Sequence, residues 1–109
     1  MSDNRPISEQ FRVVSKQWVD AEAAASLLED TKSAVLSERM QALLRDEPGL
    51  AINRAEATVK ASDEWKEWIE GMIEARKKAN LLKVQLEYLR MRSGEQASYE
   101  ATKRAEMKL

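Results

Sequence analysis

Apolar and small side chains recur along the first part of the chain at spacings that alternate between three and four residues. The members of this stripe are Phe11, Val14, Trp18, Ala21, Ala25 and Leu28. Such spacing is typical of the buried seam of a coiled-coil helix. Lys32 occupies the next seam position and interrupts the stripe, which resumes at Val35. The pattern predicts a long first helix over about 7–45.

A second stripe with the same spacing begins near the middle of the chain. Its members are Trp65, Trp68, Met72, Ala75, Ala79, Leu82, Leu86 and Leu89. Asp46–Gly49 contains a Pro-Gly pair and predicts a turn over 46–53. Asn53 with Glu56 three residues later matches a capping box, so we expect a second helix over about 54–92.

Two helices of similar length joined by a short turn predict an antiparallel hairpin. In the register that aligns the two stripes, Ala21 faces Ala79 and Ala25 faces Ala75, which brings the helices close together at an Ala-rich centre. Lys32 falls opposite Trp68. The predicted fold class is therefore all-α, a long coiled-coil-like helical hairpin.

Weak points in the second helix are expected at Ser62, Gly71 and Ser93-Gly94. The segment 93–109 is predicted to be a C-terminal helical extension with few apolar residues. At 109 residues the chain is long enough for a single domain, 1–109.

Composition argues against an enzyme. The chain contains no Cys and no His, which removes thiolate nucleophiles, the commonest metal ligand and the usual general base. Its carboxylates stand among other charges at helical spacing and indicate solvated faces. We therefore predict no catalytic residues, no metal site and no cofactor.

A second apolar stripe lies beside the seam and is the first candidate for function. Its members are Leu36, Met40, Leu44, Ile69, Ile73, Leu81, Val84, Tyr88 and Met91. A two-helix hairpin has little use for so wide an apolar face, which favours an interface for self-association or for a partner helix. The alternative is that these residues only widen the core of the hairpin.

A basic stretch is the second candidate. Within 76–92 six basic residues stand against Glu87 alone, and the candidates for nucleic-acid contact are Arg76, Lys77, Lys83, Arg90 and Arg92. Tyr88 is available to stack on a base, as in proteins that bind single strands. The alternative is a basic helix end that complements the macrodipole and is neutralised by acidic residues of the first helix.

The three tryptophans all lie on seam positions, so core packing is the expected role. Trp65 stands nearest the turn and is expected to be the most exposed of them.

The stretch from Glu64 through Arg92, followed by Glu100–Leu109, resembles small uncharacterised helical proteins of bacteriophages and prophages. In general plan, as a short, charged, Cys-free helical chain, it is also similar to phage recombination mediators. That second similarity implies an oligomer that presents the basic face 76–92 to single-stranded DNA.

These observations lead to a non-enzymatic, self-associating helical adaptor or accessory protein of phage type. The alternatives are a single-stranded nucleic-acid-binding accessory of recombination or replication, and an inhibitor of a host protein. No apolar run approaches the roughly 20 residues that a membrane span needs, and residues 1–5 do not begin a signal peptide. We therefore expect no membrane partner and a location in the cytoplasm, that of the host if the chain is phage-encoded.

Overall fold

The computed structural model describes residues 4–108 and is all-α over that range. Its helices are α1 (Ile7–Asp46), α2 (Ile52–Ala61) and α3 (Asp63–Met107). The predicted hairpin is confirmed. The expectations that concern residues 1–3 and Leu109 fall outside the described range.

The chain divides into two compact units, one formed by the described residues up to 21 and from 78 onward, the other by 22–77. In the first unit, the buried residues are Val14, Ala21, Ala79 and Leu89. In the second unit, they are Ala25, Ala55, Val59 and Trp65. The prediction of a single domain stays a prediction.

The seam residues of both predicted stripes are buried or half-buried, whereas Lys32 is exposed. Ala25 and Ala79 are fully buried, at 0% exposure, as expected for small residues between closely packed helices. In the second unit Arg76 contacts Glu22 and Glu29, which lie on either side of position 24, its partner in the predicted register. Around Arg76 the antiparallel register is thus the one that the stripes predict.

The connection after α1 is a tight turn. The amide of Leu50 donates a 3.1 Å hydrogen bond to the carbonyl of Glu47, with Pro48 and Gly49 between them. Gly49 does not have a positive φ, so this is a type I turn with Pro in its favoured place. The predicted turn is therefore correct in position but shorter than 46–53.

The predicted capping box at Asn53 is wrong. α2 begins at Ile52, before Asn53, and its N-cap is Ala51, which offers no side-chain cap. The carbonyl of Ala51 accepts hydrogen bonds from the amides of Arg54 and Ala55 and starts the helix without help from Asn53. Glu56 instead pairs with Lys60, one turn further on, at 2.8 Å.

The predicted second helix is in fact two helices, because the chain breaks at Ser62. Ser62 has extended backbone angles, φ −72° and ψ 149°, and serves as the C-cap of α2. Its hydroxyl donates to the carbonyl of Val59 at 2.6 Å and accepts from the amide of Trp65 at 3.2 Å. One side chain therefore satisfies backbone groups at the end of α2 and at the start of α3.

The other two weak points do not interrupt α3. Gly71 and Gly94 lie inside the helix without a positive φ, and a Cβ added at either would meet nothing within 4 Å. The predicted extension 93–109 is, as far as it is described, a continuation of α3. Every described residue from 90 onward is exposed, so this part of α3 extends beyond its last buried residue, Leu89.

Replacement of Ser62 by Ala should lower the free energy of unfolding by about 1 kcal/mol, the usual effect of losing a helix cap. Urea denaturation followed by circular dichroism would measure it. Ser37→Ala is the matched control, because Ser37 is exposed inside α1 and caps nothing. Equal stability of the two variants would contradict a capping role for Ser62.

Candidate functional site

Four exposed apolar side chains follow one another along α3 and form what we call the outer face: Leu81, Val84, Tyr88 and Met91. Their spacings are three, four and three residues, and each side chain is between 53% and 62% exposed. All four belong to the first unit. Over this length α3 carries two coiled-coil stripes, of which α1 covers only the one that contains Ala79 and Leu89.

The remaining predicted interface residues are placed differently. Leu36, Met40, Leu44 and Ile69 are half-buried, and Ile73 is exposed. The four half-buried residues thus lie partly within the second unit, where widening of the core accounts for them. Apart from Ile73, the exposed residues of the predicted interface are those of the outer face.

Arg76, the first of the predicted basic contacts, is held by two carboxylates of α1. Its Nε and Nη2 donate to the two carboxylate oxygens of Glu29 at 2.9 and 2.6 Å, and its Nη1 donates to Glu22 at 2.6 Å. This two-pronged geometry is the strongest form of the guanidinium–carboxylate contact. The charge of Arg76 is therefore neutralised inside the hairpin.

The same contacts shift the protonation equilibria of the cluster. The hydrogen bonds from Arg76 lower the pKa of Glu29, against a smaller opposing effect of desolvation. Hydrogen bonds to Glu29 and Glu22 raise the pKa of Arg76. Glu29 and Arg76 are thus both charged throughout the neutral range.

The other basic residues of 76–92 are exposed. Lys78 and Arg92 stand on one edge of the stripe with Gln85 between them, all seven residues apart. The opposite edge carries Asn80 and Glu87, and Lys83 and Arg90, also seven apart, lie beyond it in line with Arg76. Seven residues are two helical turns, so each pair forms a line parallel to the apolar stripe.

Lys77 lies four residues before Leu81 and occupies the next position of the stripe toward the N-terminus of α3. Across 77–92 five basic residues stand against Glu87, a net charge of +4. The outer face is therefore an apolar stripe with basic residues on one edge, on a segment of net positive charge.

The expectation for the tryptophans is wrong at Trp65, which is the buried one, while Trp18 and Trp68 are half-buried. Trp68 stacks on Trp65, with ring centroids 5.4 Å apart and planes 11° from parallel. The guanidinium of Arg39 lies 5.9 Å from the Trp65 ring centroid. These neighbours cover Trp65, although it stands near the turn.

Nothing in the sequence indicated that Arg39 belongs to a candidate site, because a basic residue between apolar positions has the pattern of an ordinary surface charge. Its Nη1 is buried and has no hydrogen-bond partner among the described residues. A shallow groove of about 310 Å³ lies beside it, lined by Val35, Glu38, Arg39, Ala42, Arg45 and Trp68. Two guanidiniums and an indole suit a carboxylate, but Glu38 offsets part of their charge.

Residues 4–108 contain neither a candidate membrane span nor a candidate metal site. No helix there combines the length and the apolar character that crossing a membrane requires. No group of three or more acidic side chains in the same range is arranged to hold a metal ion.

Comparison with protein-family models, with curated proteins and with solved structures finds no match to this chain.

The Arg76 cluster should make stability depend on pH. Because folding lowers the pKa of Glu29, its contribution is present above the ordinary value of 4.5 and is lost as pH falls through the lowered value. We expect Glu29→Gln to lower the melting temperature at pH 7, with a difference from the unsubstituted protein that shrinks below pH 4.5.

A double-mutant cycle provides the control. Glu29→Gln and Arg76→Gln should be strongly non-additive, because each removes the same contact. Glu9→Gln with Arg76→Gln should be additive, since Glu9 pairs with Arg12 instead. Additivity in the first pair would contradict the proposed coupling.

Proposed function

We propose that this protein is a non-enzymatic helical adaptor that works by docking a further helix on the outer face of α3. One observation carries the proposal: four large apolar side chains, at coiled-coil spacing, lie exposed on a helix whose opposite stripe is already buried. Contiguous exposed apolar patches are a mark of interaction sites, whereas apolar residues scattered singly over a surface are not.

The docked helix belongs either to another protein or to a second copy of this chain. Helix-on-helix docking needs nothing more than apolar residues at alternating spacings of three and four, and the outer face offers four of them in sequence. The resemblance to small helical phage proteins leads us to propose an accessory role of that type, in which contact rather than catalysis is the activity.

Replacement of Leu81 by Lys should weaken docking by about tenfold or more, since it places a charge in the centre of an apolar contact. The measurement is the affinity for a labelled 21-residue amphipathic helical peptide with Leu at its seam and Gln beside it, together with sedimentation of the protein alone at high micromolar concentration. The free energy of unfolding should change by less than about 0.5 kcal/mol because Leu81 is exposed.

Leu27→Lys is the matched control, because Leu27 is 64% exposed and Leu81 is 62% exposed. It should leave docking unchanged. A protein that neither binds the peptide nor self-associates, or one that responds equally to the two substitutions, would refute the proposal.

A second candidate, contact with single-stranded nucleic acid, is favoured by the exposed pair Lys83 and Arg90 on the same helix as the exposed Tyr88. Phosphates attract basic lines of this kind, and an exposed phenol ring can stack on a base. Arg76 adds no free charge to the line, because Glu22 and Glu29 hold it.

For this candidate we expect a labelled single-stranded oligonucleotide to bind at low salt and to dissociate as salt increases. The double substitution Lys83→Glu with Arg90→Glu should abolish that binding, as followed by fluorescence anisotropy. Binding that is insensitive to salt, or unchanged in the double variant, would eliminate nucleic acid as the ligand.

A further inference from the structure

The charges around the outer face distinguish between its possible occupants. Lys78 and Arg92 border the four apolar residues on one edge. On the other edge Glu87 lies three residues after Val84 and four before Met91, while Lys83 and Arg90 lie further round the helix, in line with Arg76. The net charge of 77–92 is +4, so an incoming helix meets positive charge mainly along the edge of Lys78 and Arg92.

The basic residues that surround the outer face are available to a partner. Lys77, Lys78, Lys83, Arg90 and Arg92 are all exposed, and none forms an ion pair within residues 4–108. They differ in this from Arg76, whose charge Glu22 and Glu29 neutralise. Within residues 4–108, carboxylates neutralise one basic residue of the stretch 76–92, Arg76, and the charges of the other five are not neutralised by an ion pair.

A second copy fits this surface poorly. If two outer faces pair in parallel and in register, Lys77 of one copy meets Lys77 of the other on the seam. If they pair in antiparallel fashion with all four apolar layers matched, Lys78 of one copy lies beside Arg92 of the other. Glu95 would then meet Lys77 favourably, but two segments of charge +4 still face each other.

Nucleic acid also fits this surface poorly, although it would satisfy the charge. Leu81, Val84 and Met91 are aliphatic and occupy three of the four exposed positions, whereas surfaces that bind single strands rely on aromatic rings for stacking. Aliphatic side chains at seam spacing are suited to packing against another helix.

We propose that the outer face of α3 binds an acidic amphipathic helix of a partner protein, with Leu81, Val84, Tyr88 and Met91 as the apolar contact and the surrounding basic residues as the source of selectivity. This inference rests on the proposed adaptor function and adds the chemistry of the partner. The apolar stripe supplies affinity, and the charges select acidic over basic helices and speed association.

The contact is expected to be reversible. Four exposed side chains and their surroundings would bury on the order of 800 Å² in total, which lies among small transient interfaces. Affinity should therefore fall with ionic strength, because exposed charge pairs are screened by salt.

The experiment compares three labelled 21-residue helical peptides that share a Leu seam and carry Glu, Gln or Lys at the positions beside it. At low salt the Glu peptide should bind at least about tenfold more tightly than the Lys peptide, with the Gln peptide between them. The double substitution Lys78→Glu with Arg92→Glu should reverse this order. Lys103→Glu with Arg104→Glu makes the same change of charge on exposed positions of α3 outside the outer face and should preserve it.

Each outcome decides the inference separately from the adaptor function. Equal binding of the three peptides, with loss of binding in Leu81→Lys, would overturn the acidic partner and leave the adaptor function intact. Reversal of the order by the Lys103 and Arg104 substitutions would also overturn it, as an effect of total charge. Tighter self-association than binding of the Glu peptide would assign the face to a second copy, and preferred binding of an oligonucleotide would assign it to nucleic acid. Failure of every peptide together with absence of self-association would refute the adaptor function itself.

Discussion

Two paired helices can bury only one stripe each, and this limit governs the arrangement of the first unit, where α1 and α3 meet. A helix is apolar on one face when it borders a single neighbour, so a second apolar stripe on the same helix has nothing to pack against. α1 and α3 use their Ala-containing seams on each other, and the small side chains at Ala25 and Ala79 leave no exposed surface there. Exposure of the outer face is the direct result, because no helix among residues 4–108 covers it.

The pairing of α1 with α3 also decides which basic residues at the edge of the seam are neutralised. Arg76 lies where α3 borders α1 and finds Glu22 and Glu29. Lys83 and Arg90 continue the line of Arg76 at intervals of two turns, but they remain exposed. The positions of α1 equivalent to Glu22 and Glu29 are Ser15 and Glu22 for Lys83 and Ser8 and Ser15 for Arg90, so the only carboxylate among them is Glu22, which already binds Arg76. The sequence of α1 therefore decides which part of the basic stretch is internal and which part faces outward.

The repeat of three and four residues was sufficient to predict α1, the seam of α3 and the antiparallel register around Arg76, but it placed Lys32 on the seam, whereas Lys32 is exposed. It marked Ser62 as a weak point but could not show that the chain breaks there, because a serine inside a helical pattern is equally consistent with a surface residue and with a cap. Only the positions of the Val59 carbonyl and the Trp65 amide show that its hydroxyl serves two helices.

The burial of Trp65 was missed for a related reason. Its distance from the turn does not reveal that Arg39 and Trp68 cover it. The pattern also identified the residues of the outer face as candidates for an interface. It did not distinguish them from four other candidates that are half-buried, Leu36, Met40, Leu44 and Ile69.

The continuation of α3 beyond Leu89 has a practical consequence. An isolated helix of this length is only marginally stable in water, and no described residue after position 89 is held by burial. Its backbone should therefore open often, exchange amide hydrogens quickly and admit a protease at Lys103 or Arg104 well before the paired helices are cut. The same property makes this end of the helix the natural place for a fused reporter or an affinity tag, since an addition there displaces nothing from the seam.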